Sequence, residues 1–140
     1  MARKHAVLSA SSAARWIACP PSARLNAEQS DTPSEYAAQG TDAHTLCEYK
    51  LRKALGERVR DPTKKLSSYD SEMEECAEFY VQFVMGLVAQ FREENADTMV
   101  SVEQRVEFSD FVPDGFGTAD TLIISGKTVC IVDYKHGKGI

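Results

Sequence analysis

Apolar residues recur with a helical period over two stretches of the chain and switch to strict alternation near its end. From Ser71 to Asn95, Met73, Cys76, Ala77, Tyr80, Phe83, Val84, Leu87, Val88 and Phe91 fall three or four apart, the spacing of one helix face. "SEME" offers this helix a capping box, Ser71 with Glu74. Another helix is expected from about Ser34 to Leu55. Its stripe is Tyr36, Ala43, Leu46, Cys47, Leu51 and Leu55, and Gly56 is its stop. Gly40 interrupts that pattern and marks the start of its better-formed part. His44 and Glu48 are four apart and share a face. Leu51 and Leu55 continue that face, so it turns inward. Upstream, "SASSAARWIACPP" reads as a short helix capped by Ser11 or Ser12 and stopped by Pro20 and Pro21. "NAEQSDTP" follows as a polar loop, and "ERVRDPTKKLSSYD" is a charged connector between the two long helices.

After "ENAD" the period becomes two. "MVSVEQRVEF" is a strand with alternating faces, "SDFVPDG" turns, and "FGTADTLIIS" and "KTVCIVDYK" complete a meander. Three helices followed by three strands make an α+β fold, with N-terminal helices packed on an antiparallel three-stranded meander.

The last two strands carry an unusual load. Each has an aspartate, Asp120 and Asp133, and Lys135 shares a strand face with Asp133. A two-residue loop at Gly126–Lys127 places Asp120 opposite Asp133. A loop at Ser125–Gly126 makes the pair diagonal on one face, and only a three-residue loop separates them. Facing carboxylates repel, more so when buried. One must be protonated, or a cation must sit between them. Hard oxygen ligands suit Mg²⁺ or Mn²⁺. The plainer reading is an exposed ion pair, which is what most D-x-K pairs on strands are. "VCIVDYK" is apolar on both faces, however, which suits a central strand.

Length and composition widen the picture only modestly. The 140 residues suit a single domain with one core. With 43% hydrophobic and 26% charged residues the composition is that of a globular protein. No apolar run is long enough to span a bilayer and no export signal is legible, so a cytoplasmic protein without membrane contact is expected. Cys19, Cys47, Cys76 and Cys130 show no paired spacing, which favours buried thiols over disulfides or zinc. The net charge of −5 argues mildly against nucleic acid. That argument is weak, because a metal-dependent phosphodiester enzyme concentrates carboxylates at its site. Basic residues cluster at Arg52, Lys53, Arg58, Arg60, Lys64, Lys65 and at Lys135, His136 and Lys138, clusters that are by default solvated faces.

"GTDAHTLCE" on a helix, "GTAD" on one strand and "VDYK" on the next resemble the PD-(D/E)XK nuclease superfamily, and within it the RecB-like exonuclease branch. "SSAARWIACPPSARL", "QGTDAHTLCE", "VEQRV", "GFGTAD" and "VDYKHGKG" together are similar to an uncharacterised phage-associated family of that branch. The resemblance implies the first part of a restriction-endonuclease-like core. It also implies metal-dependent hydrolysis of DNA, as in a phage or mobile-element recombination exonuclease. His44, Asp120, Asp133 and the backbone carbonyl of Tyr134 match the residues that hold one or two Mg²⁺ or Mn²⁺ ions. Asp120, Asp133 and Lys135 match the catalytic set, and Glu48 matches a supporting helical acid. The branch continues past its D-x-K lysine with a further helix and strands, so completion by a C-terminal segment, a partner protein or a second copy is expected. Cys19 resembles the first cysteine of iron–sulfur relatives. The other three cysteines fall inside expected elements, so no cluster is expected and Cys19 is expected to be buried. The competing expectations are a non-catalytic nucleic-acid-binding or assembly module on the same fold, and a structural domain whose aspartates pair with local lysines.

Overall fold

The computed structural model describes residues 6–29 and 34–137. Residues 30–33 of the expected polar loop and Lys138 of the basic run lie outside them. Four helices precede three strands: α1 (Ala13–Ala18), α2 (Pro21–Ala27), α3 (Glu35–Ala54), α4 (Ser71–Glu94), β1 (Met99–Glu107), β2 (Phe116–Ser125) and β3 (Thr128–Val132). The fold is α+β, with an antiparallel sheet in the order β1-β2-β3. No helix among the described residues is long and apolar enough to cross a membrane.

Helix α2 corrects the reading of Pro20 and Pro21 as a stop. Pro21 occupies the first helical position, where its missing N–H is no loss and its fixed φ already suits a helix. The proline pair that ends α1 therefore also begins α2. Helix α3 runs unbroken through Gly40 and ends as expected at Gly56. There the Gly56 N–H bonds the Lys53 carbonyl at 3.0 Å and the Glu57 N–H bonds the Arg52 carbonyl at 2.9 Å. This paired closure needs a left-handed residue, and Gly56 supplies it with φ +90. Helix α4 is capped one residue earlier than expected. Asp70, in extended conformation, accepts the Met73 N–H at 2.7 Å, and Ser71 is already helical.

The chain's contacts divide into two compact units. The larger comprises Pro33–Gln104 and Ala119–Ile140. In it α3 packs on α4, and Leu46, Leu51, Met73, Val84, Val88 and Ile123 are fully buried. Lys50 on α3 strengthens the helix pair through ion pairs with Glu74, at 2.6 Å, and Glu78 on α4. Tyr80 and Thr121 share a buried hydroxyl–hydroxyl bond of 2.7 Å that joins α4 to β2. Tyr36, Cys76 and Phe83 of the expected stripes fall outside this core. Tyr36 is 86% exposed, because the whole first turn of α3 lies at the surface. Phe83 flanks the true α4 stripe of Met73, Ala77, Tyr80, Val84 and Val88 and is half exposed.

The smaller unit comprises Met1–Thr32 and Arg105–Thr118. Trp16 Nε1 donates to the Ser9 carbonyl at 2.9 Å. Arg105 stacks its guanidinium over Phe116, 3.7 Å from the ring centroid. A side chain at Gly115 would meet the Phe108 ring at 2.6 Å and the Val112 carbonyl at 2.7 Å, so only glycine fits this turn. Cys19, between the short helices α1 and α2, is exposed, contrary to expectation.

Strands β2 and β3 pair from Thr121↔Val132 to Ser125↔Thr128. This is the register of the two-residue Gly126–Lys127 loop, with Gly126 at φ +57. Strand β3 lies at the sheet's edge, not at its centre. Its Cys130 and Val132 pack on the core. Its Val129 and Ile131 are 62% and 60% exposed. The apolar character of both faces thus reflects an open sheet face.

Candidate metal centre

Within the larger unit, helix α3 and strands β1 and β2 converge on one narrow cleft lined by His44, Glu48, Glu103 and Asp120, with Tyr80 and Tyr134 beside them. His44 faces it because Ala43, Leu46, Cys47 and Leu51 turn the adjoining α3 surface into the core. His44 Nδ1 lies 3.4 Å from Asp120 Oδ2. The same oxygen accepts the Tyr134 backbone N–H at 2.7 Å. His44, Glu103 and Asp120 each offer one ligand atom, and these atoms lie within 4.8 Å of one another.

The electrostatics follow from this grouping. Burial opposes the charge on Asp120, but the adjacent His44 ring and the Tyr134 amide outweigh it and hold its carboxyl below the usual range. The Asp120 carboxylate in turn raises the His44 pKa against the opposing effect of burial. Glu103 behaves in the opposite way to Asp120. Burial, then the Asp120 and Glu48 carboxylates, push its pKa up. Burial also raises Cys47 to about 12 and Tyr80 to about 12, so both stay protonated at neutral pH. The Tyr134 ring meets His44 edge-on at 5.6 Å and Tyr80 at 5.2 Å. Its hydroxyl bonds His136 Nδ1 at 3.0 Å.

The expected residues are only partly brought together. His44 and Asp120 meet. Glu48 lines the cleft but is bound to Arg52 at 2.8 Å. Asp133 does not face Asp120. The β2–β3 ladder ends at Thr121↔Val132, so the strand register no longer governs residue 133. Beyond that point it is the Tyr134 amide that reaches the Asp120 carboxylate. Asp133 instead pairs with Lys135 at 2.6 Å, with their side chains 53% and 77% exposed. Tyr134 adjoins Asp120 through its N–H and not, in this arrangement, through its carbonyl. Glu103 joins the cluster as well. It lies in "VEQRV", one of the stretches that carry the resemblance, although periodicity gives it no place at the site.

Residues 5–140 match the family described as "Protein of unknown function (DUF2800)". The chain belongs to that family. No solved structure matches it. The DUF2800 match runs through α3 and all three strands, so each residue of the cleft lies within it. An imidazole and two carboxylates at this separation form a donor set suited to a divalent cation of the Mn²⁺ or Mg²⁺ kind.

Proposed function

We propose that this chain hydrolyses DNA phosphodiester bonds with the help of a divalent metal, in the manner of the RecB-like nucleases that its motifs resemble. The observation that supports this most is the meeting of His44 and Asp120 at 3.4 Å. These residues are far apart in sequence, and the resemblance names both as ligands. A divalent ion held there supplies Lewis-acid activation of water and of the scissile phosphate. Asp120 is aimed by the Tyr134 amide, so its geometry is set before any ion arrives. Lys135 stands at the margin, close enough for its charge to favour the ionised form of Asp120. From there it offers a positive charge to phosphoryl oxygens. The setting proposed is the cytoplasm of a cell hosting a phage or mobile element.

The test is cleavage of linear duplex DNA by the whole protein with Mn²⁺. His44→Ala and Lys135→Ala should each lower the rate by at least about a hundredfold, at the low end of general acid–base and electrostatic contributions. Cleavage undiminished in both variants ends this reading.

A second reading is a nucleic-acid-binding module that keeps the fold without turnover. The exposed Asp133–Lys135 pair, outside the cluster, favours it. It predicts salt-dependent DNA binding with no cleavage under Mg²⁺ or Mn²⁺.

A further inference from the structure

Helix α4 carries Glu72, Glu75 and Phe79 three and four residues apart, so they share one face. That face flanks the buried stripe of Met73, Ala77 and Tyr80. Across from it runs the segment that follows β3. Between the two is a solvent-open hollow of about 380 Å³, lined by Glu72, Glu75, Phe79, Tyr134, Lys135 and His136. Phe79 is 73% exposed, so its ring is an apolar surface that the core does not use. The His136 ring is held in place: its Nδ1 bonds the Tyr134 hydroxyl at 3.0 Å, and the two rings stack with centroids 6.1 Å apart. Three aromatic rings around a hollow of ligand size suit an unpaired nucleobase, since every base has a face that stacks on an aromatic side chain. The charges orient such a base. Glu72 and Glu75 on the α4 wall repel a phosphate, but they accept hydrogen bonds from an exocyclic amino group. Lys135 on the opposite wall attracts the phosphate. Tyr134 lines both this hollow and the cleft that holds His44 and Asp120.

We propose that the hollow between α4 and the segment after β3 seats one unpaired nucleobase of a DNA strand, stacked on Phe79, with Glu72 and Glu75 favouring bases that carry an exocyclic amino group. This rests on the reading that the chain acts on DNA and adds which feature of the strand it recognises.

Anisotropy titrations of the whole protein with short labelled oligodeoxycytidine in EDTA test it, with circular dichroism to verify folding. Phe79→Ala should weaken binding by at least about fivefold, the low end for base–aromatic stacking, and Phe79→Trp should restore it. A fluorescent base analogue that is quenched by stacking should be quenched by the wild type and by Phe79→Trp, and not by Phe79→Ala. Oligodeoxyuridine has a carbonyl in place of the amino group and should bind at least about fivefold more weakly. Replacing both acids, Glu72→Gln with Glu75→Gln, should close that gap. Wild-type affinity and quenching in Phe79→Ala overturn the seat and leave the DNA reading standing. Equal affinity for the two strands overturns the part given to Glu72 and Glu75. Failure of the wild type to bind either strand overturns the seat, and the separate cleavage assay with Mn²⁺ then decides the nuclease reading.

Discussion

Asp120 and Asp133 lie on neighbouring strands of one hairpin, and its register carries them toward each other, yet they end in opposite surroundings. Asp120 is half buried against His44 and receives the Tyr134 amide. Asp133 lies in solvent with Lys135. The hairpin's turn and register are the same for both. What differs is the backbone donor at the end of β3. Once pairing stops at Val132, the next amide serves a carboxylate and not a ladder carbonyl, and the intervening side chain is turned outward. Strand register thus brings a residue near a site, but the last hydrogen bond decides whether it enters.

The largest effect that would break this contrast concerns metal. Mn²⁺ at a hundred times its dissociation constant should stabilise the wild type by about 2.7 kcal/mol. Thermal melts should show this stabilisation vanish in Asp120→Asn. If Asp133→Asn abolishes it equally, the two aspartates are equivalent and the contrast fails.

A smaller effect follows from pH. The folded-state pKa of His44 is raised above 6.5, so its contribution is complete below that value and is lost as pH rises through the raised one. The folded-state pKa of Asp120 is lowered below 3.8, so its contribution holds above 3.8 and is lost as pH falls through the lowered value. Glu103 is raised above 4.5 and also favours the folded state less as pH rises. The metal-free protein should therefore gain most from the His44–Asp120 pair between pH 3.8 and 6.5. His44→Gln should flatten the loss above pH 6.5 in melts that extend beyond it. A loss of unchanged size would show that His44 is not its source.

The smallest effect belongs to the exposed pair. Asp133→Asn without metal should change stability by no more than about 1 kcal/mol, as for solvent-exposed ion pairs generally. Urea titration reads this directly. A larger loss would mean that Asp133 is held by more than Lys135.

Much of the fold is legible in the order of residues alone. The α4 stripe, the glycine stop at Gly56 and the Gly126–Lys127 turn each express a local rule, and each is present. Helix α2 escapes such rules because proline ends a helix when approached from one side and begins one when approached from the other. The edge position of β3 escapes them because an apolar pattern reports faces and not neighbours. At the candidate centre, His44 and Asp120 are legible through motif resemblance. Glu103 lies in the "VEQRV" stretch of the same resemblance, but periodicity does not place it in the cluster, because periodicity assumes regular backbone and Glu103 is left-handed. Asp133 falls outside the cluster because facing it toward Asp120 extends a ladder past its last hydrogen bond.

The left-handed backbone at Glu103 also bears on how this chain would drift under selection. Glycine, or asparagine with little penalty, adopts that conformation, and either would remove a charge facing Asp120. A mutant library screened for heat resistance in the presence of a chelator should therefore replace Glu103 early. The same library screened with Mn²⁺ present should retain it.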